Sequence, residues 1–240
     1  MLGVIAGTNL RGSRLLSGLK ECLVESPYGR AVCHVGDDVV LLLRHGPSHS
    51  VPPHKINHRA NIAALVNLDV DEVVSVNSCG SLKEAVKRGW FMVPHDFVCL
   101  WDSITFFEDE VYHATPEMDE NLRRKLVEAV RACGEAVYER GVYVQVRGPR
   151  LETKAEVHFL GTFGDVVGMT LASEATLCCE LGIPFASLCS VDNYANGVVG
   201  KTTMQDVFDA ATASRERVER VLDVLMANEG QEGCAQGAQG

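Results

Sequence analysis

Short, mostly apolar runs recur along the chain, at 2–6, 39–43, 73–77, 97–100, 142–146, 166–168 and 185–191. They are strand-sized, and several lack polar alternation, which predicts strands covered on both faces. Between them, apolar residues return at helical spacing. Residues 56–68 follow Pro52-Pro53, and 117–133 begin beside Pro116. Two shorter helical stretches cover 153–160 and 173–181, and a long amphipathic one covers 203–226, opening on Thr203 as a cap. Alternating strands and helices predict an α/β sheet flanked by helices. No repeat or linker divides residues 1–228, so one domain is expected. The segment 229–240 is mostly Gly, Gln and Glu without apolar period, and an unstructured tail is expected there.

At 240 residues, the chain is long enough for one large domain or two small ones. Its net charge of −10 disfavours nucleic acid and anionic membranes as partners, so an anionic ligand needs a local pocket. No apolar run approaches the roughly 18 residues of a membrane span. Residues 1–6 do not resemble a secretory signal, and a cytoplasmic protein is expected. The nine cysteines are odd in number, lie mostly in apolar runs and form no repeated Cys-x-x-Cys unit. Reduced, structural thiols are therefore expected. His49, His54 and His58 have no Cys or carboxylate to complete a ligand set, so no metal is expected.

Polar residues with binding chemistry cluster where the apolar runs end, the place where open α/β sheets bind ligands. Gly7 permits a sharp turn after the first run, and Thr8 then offers an N–H and a hydroxyl to an oxyanion. Arg44 carries a fork suited to phosphate, and His45 beside it could donate a second bond. Asn77-Ser78-Cys79-Gly80-Ser81 is a small-residue bend that suits an anion, and Gly168-Met169-Thr170 adds a thioether and a hydroxyl. Each feature also has a purely structural reading: a plain turn, an ion-paired arginine, a core methionine. Glu152 and Asn193 are the sharpest pair. A carboxylate accepts only, and an amide both donates and accepts, which matches the edge of a 6-oxopurine. Glu152 equally suits a helix N-terminus. The absence of a G-x-G-x-x-G fingerprint disfavours a dinucleotide.

Taken in order, Arg44-His45-Gly46, Lys55-Ile56-Asn57 with Arg59-Ala60-Asn61-Ile62, Cys79-Gly80-Ser81-Leu82 and Gly148-Pro149-Arg150 before Glu152 resemble the trimeric-type nucleoside phosphorylases. That family includes purine nucleoside phosphorylase and 5'-methylthioadenosine phosphorylase, and the resemblance spans residues 1–226. It implies a single α/β domain around a mixed, partly barrel-like sheet. It implies a phosphate site from Thr8, Arg44, His45, Asn77, Ser78 and Thr170, with Met169 on the ribose. Asn193, Tyr194 and Ala195 become the base strip, with Leu151 near the base plane. His113 matches a residue lent to a neighbouring subunit, which implies an oligomer, a homotrimer or a hexamer. Adenine-specific members place Ser at the position of Glu152 and Asp at those of Asn193 and Ala195, so this chain has the 6-oxopurine set. At the 5' end, Met204 stands where riboside-specific members have His, with Val207 and Phe208 on the same helix. The chain departs from the pattern at Asn9 (usually Gly), at Leu151 (usually aromatic) and at Ser173-Glu174-Ala175 (usually Pro-Glu-Val).

The resemblance therefore implies reversible phosphorolysis of a 6-oxopurine nucleoside, S-methyl-5'-thioinosine above all. Inorganic phosphate is the co-substrate, and no metal or organic cofactor is implied. Asn193, Glu152 and His45 are the expected catalytic groups. The competing readings are an inosine/guanosine phosphorylase, a methylthioadenosine phosphorylase, and a non-catalytic nucleoside-binding protein.

Overall fold

The computed structural model describes residues 1–101 and 104–237, with side chains as far as residue 228. Strands β1 (Leu2–Ala6), β2 (Lys20–Ser26), β3 (Gly29–Val35) and β4 (Val39–Leu43) come first, then helix α1 (His58–Val66) and β5 (Glu72–Ser81). Next are β6 (Phe91–Met92), β7 (Asp96–Cys99), α2 (Glu120–Ala132), β8 (Val137–Tyr138) and β9 (Val142–Gln145). The chain continues through α3 (Lys154–Leu160), β10 (Val166–Gly168), α4 (Leu171–Glu180), β11 (Phe185–Tyr194) and α5 (Met204–Gly237). The tail expected at 229–240 falls on residues whose side chains lie outside the described set.

The sheet is mixed and runs β2-β3-β4-β1-β5-β10-β9-β7. It branches at β5. The first half of β5 pairs in parallel with β1, and its last two residues pair antiparallel with β10. Along its other edge β5 pairs with β11 in parallel from Val73 to Ser81. β11 in turn pairs with β6, and β6 with β8. The α/β sheet is the one the pattern predicts, and its mixed character is what the resemblance implies.

All five residues of β1 are buried, as its unbroken apolar run requires. Ile5 faces a core with Leu42, Ile62, Leu65, Leu171 and Phe185, beside α1 and α4. Val4 and Ala6 face the other core with Val74, Leu122, Leu126, Leu222 and Leu225, beside α2 and α5. The helices start on polar caps: Asn57 accepts from Ala60 N, Asp119 from Leu122 N, and Thr153 and Glu156 form a capping box. Thr203 caps α5 as expected, accepting from Asp206 N at 3.2 Å while Asp206 accepts from Thr203 N.

The hairpin β2–β3 is absent from the apolar-run reading. β2 is an edge strand whose residues alternate between exposed and half-buried, so it has no continuous apolar run. Among the described residues, no helix is long and apolar enough to cross a membrane. All eight described cysteines are free, and burial pushes Cys33 up to about 12 and Cys79 and Cys178 well above the usual thiol range. Such thiols are protonated and unreactive at neutral pH.

Candidate active site

The strand ends converge on one cavity of about 390 Å³. β1 delivers Thr8, β4 delivers Arg44 and His45, and β5 delivers Ser78 and Gly80. β10 runs against β5, so its C-terminal end returns beneath Ser78 and presents Met169 and Thr170. Leu151, Glu152, Asn193 and Ala195 form the wall opposite, and Met204, Val207 and Phe208 close one end from the first turns of α5. Segments far apart in the chain thus form a single site.

Two glycines are required by close approach. A Cβ on Gly7 would lie 2.4 Å from Arg44 Nη1 and 2.7 Å from the Val76 carbonyl oxygen. Gly148 has φ +65°, and a Cβ there would sit 2.5 Å from Met169 Sδ. A side chain at either position would displace a residue of the cavity wall.

Arg44 lines the cavity, but its paired N–H edge is already engaged. Nε donates to Glu174 Oε1 at 2.6 Å and Nη2 to Oε2 at 3.0 Å. Nη1 donates to the Val76 carbonyl at 2.7 Å and Nη2 to that of Ile5 at 3.2 Å. Of five N–H groups, one on Nη1 remains. The bidentate grip expected for phosphate therefore goes to Glu174. Burial pushes the Glu174 carboxyl up, and Arg44 pulls it back down. A buried carboxylate needs such a partner.

His45 also differs from its expected role as a donor. Its Nδ1 lies 2.8 Å from the Val51 carbonyl. A carbonyl only accepts, so Nδ1 carries the hydrogen and Nε2 is left as an acceptor. Burial, then the charge of Arg44, lowers this histidine to about 4, which keeps it neutral at pH 7. Through Nε2 it can accept a hydrogen bond from a ligand hydroxyl rather than donate one.

Asn77 is buried beneath the cavity and does not line it. Its Oδ1 accepts from Ser75 at 2.6 Å and Ser187 at 2.8 Å, and its Nδ2 donates to Thr170 Oγ1 at 2.9 Å. That last bond leaves the Thr170 hydroxyl hydrogen to donate into the cavity. Tyr194 is likewise absent from the lining, because strand neighbours face opposite sides and Asn193 and Ala195 take the inner one. Its carbonyl serves instead, accepting from Asn193 Nδ2 at 2.9 Å and Thr202 Oγ1 at 2.7 Å. The Asn193 amide is thereby oriented, nitrogen toward the backbone and Oδ1 turned away from it. Glu152 is buried, which pushes its carboxyl above the ordinary range. His113 is exposed and lies outside the cavity of its own chain.

The model for the phosphorylase superfamily matches residues 2–227. The chain belongs to the phosphorylase superfamily. A probable 6-oxopurine nucleoside phosphorylase of Archaeoglobus fulgidus is 40% identical over 94% of this phosphorylase and 94% of its own length. A probable S-methyl-5'-thioinosine phosphorylase of Methanocaldococcus jannaschii is 37% identical over 93% and 90%. Methylthioadenosine phosphorylase from Schistosoma mansoni, solved with adenine, superposes with a TM-score of 0.86 at 26% identity, covering 96% of this phosphorylase and 92% of that chain.

Three residues of the phosphorylase site carried no assigned role from sequence. His49, in the left-handed region at φ 55°, packs on His45 with ring centroids 4.6 Å apart and approaches Phe208 at 6.4 Å. Thr202 anchors the Tyr194 carbonyl, and Glu174 anchors Arg44. A signal for Glu174 existed: a lone carboxylate in the apolar run 171–179 must be paired when buried. Among the described residues, no group of His, Cys, Asp or Glu is placed to hold a metal ion.

Proposed function

We propose that this phosphorylase cleaves 6-oxopurine nucleosides by reversible phosphorolysis, with S-methyl-5'-thioinosine the preferred substrate. The observation that carries the reading is the oriented Asn193 amide facing the same cavity as the buried Glu152. Glu152 accepts N1–H, which only the 6-oxopurine edge supplies. In the bound nucleoside, N7 has a lone pair and meets Asn193 Oδ1 unfavourably. As the C1'–N9 bond breaks, its electron pair passes to the purine and N7 takes up a proton, balanced by the one that hydrogen phosphate gives up on becoming a phosphate monoester, and that contact becomes a hydrogen bond. An interaction that strengthens only as the bond breaks accelerates the chemical step.

Phosphate lies against Thr8 and Thr170, which donate, with Ser78 beside them in the wall, and His45 Nε2 accepts its remaining hydrogen. Arg44 contributes its one uncommitted N–H and orients the backbone around the anion. A phosphate oxygen bonds to C1' as the purine leaves, through an oxocarbenium-like sugar that the anion stabilises. The products are hypoxanthine and 5-methylthioribose 1-phosphate. Met204, Val207 and Phe208 offer the 5' substituent an apolar wall, where a methylthio group buries well and a hydroxyl gains no partner from them. The proposal extends to a cytoplasmic homotrimer in which His113 completes the site of a neighbouring subunit.

Purine release from methylthioinosine, inosine, guanosine and methylthioadenosine, each with and without phosphate, decides between the readings. Phosphate-dependent release fastest from methylthioinosine supports both pockets. Fastest release from inosine or guanosine keeps the base reading and discards the 5' reading. Fastest release from methylthioadenosine discards the base reading, and no release leaves a binding protein.

A further inference from the structure

Behind the cavity, β11 carries one extra residue. Val191 pairs with Cys79 and Asn193 with Gly80, so Asp192 has no partner across the ladder. A bulge of this kind re-aims the neighbouring side chain and is common beside binding sites. The neighbour here is Asn193. The Asp192 side chain is itself buried, 3% exposed, and the mechanism above gives it no task. It accepts from Ser190 Oγ and from Asn9 Nδ2, the latter at 3.2 Å. Asn9 is fully buried, and its amide also donates to Ser214 Oγ on α5 at 2.9 Å.

Burial pushes the Asp192 carboxyl up, while hydrogen bonds led by that of Ser190 hold it down. The Ser78 hydroxyl is buried without a partner of good hydrogen-bond geometry, yet lies near enough to support the Asp192 carboxylate. A carboxyl group is costly to bury, so its retention calls for a reason beyond packing. Its partners supply one. Asn9 directly follows Thr8, Asp192 directly precedes Asn193, and Ser214 lies on the helix that begins with Met204.

We propose that Asp192 is a positioning residue that couples the two halves of the site: held by Asn9, it sets the Thr8 turn and the Asn193 amide relative to each other, so that filling the phosphate half improves the fit of the purine half. The inference rests on the phosphorolytic reading of the cavity. It requires a measurable coupling between two ligands, and by linkage the coupling is the same whichever binds first.

Calorimetric titration of hypoxanthine into the full chain, with and without saturating inorganic phosphate, measures that coupling. The native protein is expected to bind hypoxanthine at least about 5-fold more tightly with phosphate present, and Asn9→Ala and Asp192→Asn to bring the ratio within about twofold of one. Ser214→Ala removes only a hydroxyl; where the other two variants fail to fold, it should at least halve the ratio. A ratio of one in the native protein overturns the proposal. So does a native ratio in folded variants whose thermal midpoint and separate affinities have fallen, which is the signature of a merely structural role. Coupling without phosphate-dependent purine release sinks the phosphorolytic reading and leaves the coupling intact; release without coupling does the reverse.

Discussion

Replacing Asn193 by Asp tests the base reading at a single pair of atoms. In the native protein Asn193 Nδ2 donates to the Tyr194 carbonyl at 2.9 Å, and Thr202 donates to the same oxygen at 2.7 Å. Aspartate has no N–H, so a carboxylate oxygen would face a carbonyl, and the side chain must turn or take up a proton. The bond to Tyr194 is lost with either purine and cancels in a ratio of substrates; the turned carboxylate then meets O6 acceptor to acceptor, which costs roughly 1–3 kcal/mol when a 6-oxopurine is bound. With a 6-aminopurine the turned carboxylate accepts from both the amino group and the protonated N7, a charge-assisted gain of about 1 kcal/mol. The sum, about 2–4 kcal/mol, corresponds to roughly a 30- to 1000-fold change in relative kcat/KM. Methylthioinosine and methylthioadenosine are the right pair to compare, because their 5' ends are identical. Glu152 sharpens the test. Its raised pKa means that acidification protonates it and turns an acceptor for N1–H into a donor for the bare N1 of adenine. The shift toward the aminopurine should therefore grow as pH falls. An unchanged ratio in a folded Asn193→Asp protein refutes the assignment of Asn193 to N7.

Met204→His should weaken methylthioinosine relative to inosine by roughly tenfold, on the scale of a buried methylthio group; a constant kcat/KM ratio removes Met204 from the 5' pocket. Gly7→Ala places a Cβ 2.4 Å from Arg44 Nη1 and 2.7 Å from the Val76 oxygen, so phosphate KM should rise at least about tenfold, and native phosphate saturation would contradict the packing. Stability should fall on acidification. His45 and His58 are lowered to about 4 and about 3 by burial, while the unfolded chain protonates both near 6.5. The stability tied to their neutral forms is present above pH 6.5 and is lost as pH falls toward the folded values, on the order of 3 kcal/mol for His45 by pH 4. Urea unfolding across that range measures it, and a flat profile between pH 6.5 and 4 would show that these rings are not held neutral.

Much of this was legible in the apolar pattern. Runs without alternation became strands buried on both faces, and β1 and β4 begin and end where the runs do. The small polar segments at strand ends became one cavity, because the parallel strands β1, β4, β5 and β11 bring their C-terminal ends to one side and β10 returns against β5 to the same place. What stayed hidden depended on directions that spacing does not carry. Arg44 reads as an anion ligand until Glu174, 130 residues later, is found on its fork. His45 reads as a donor until the Val51 carbonyl fixes its hydrogen on Nδ1. Tyr194 is the exception, since strand alternation alone excludes it from the wall that holds Asn193 and Ala195. The bulge at Asp192 has no such signature: one added residue leaves the apolar run unbroken.

The cavity wall starts at Thr8 and is finished only at Phe208. A chain emerging from the ribosome therefore completes the cavity wall only when the first turns of α5 have followed. Occupancy by nucleoside or phosphate reports on the completed molecule, and a ligand that binds only that state shifts the folding equilibrium of the entire chain. Substrate thus stabilises residues far from the cavity as well as those that line it, by an amount set by its concentration relative to its dissociation constant.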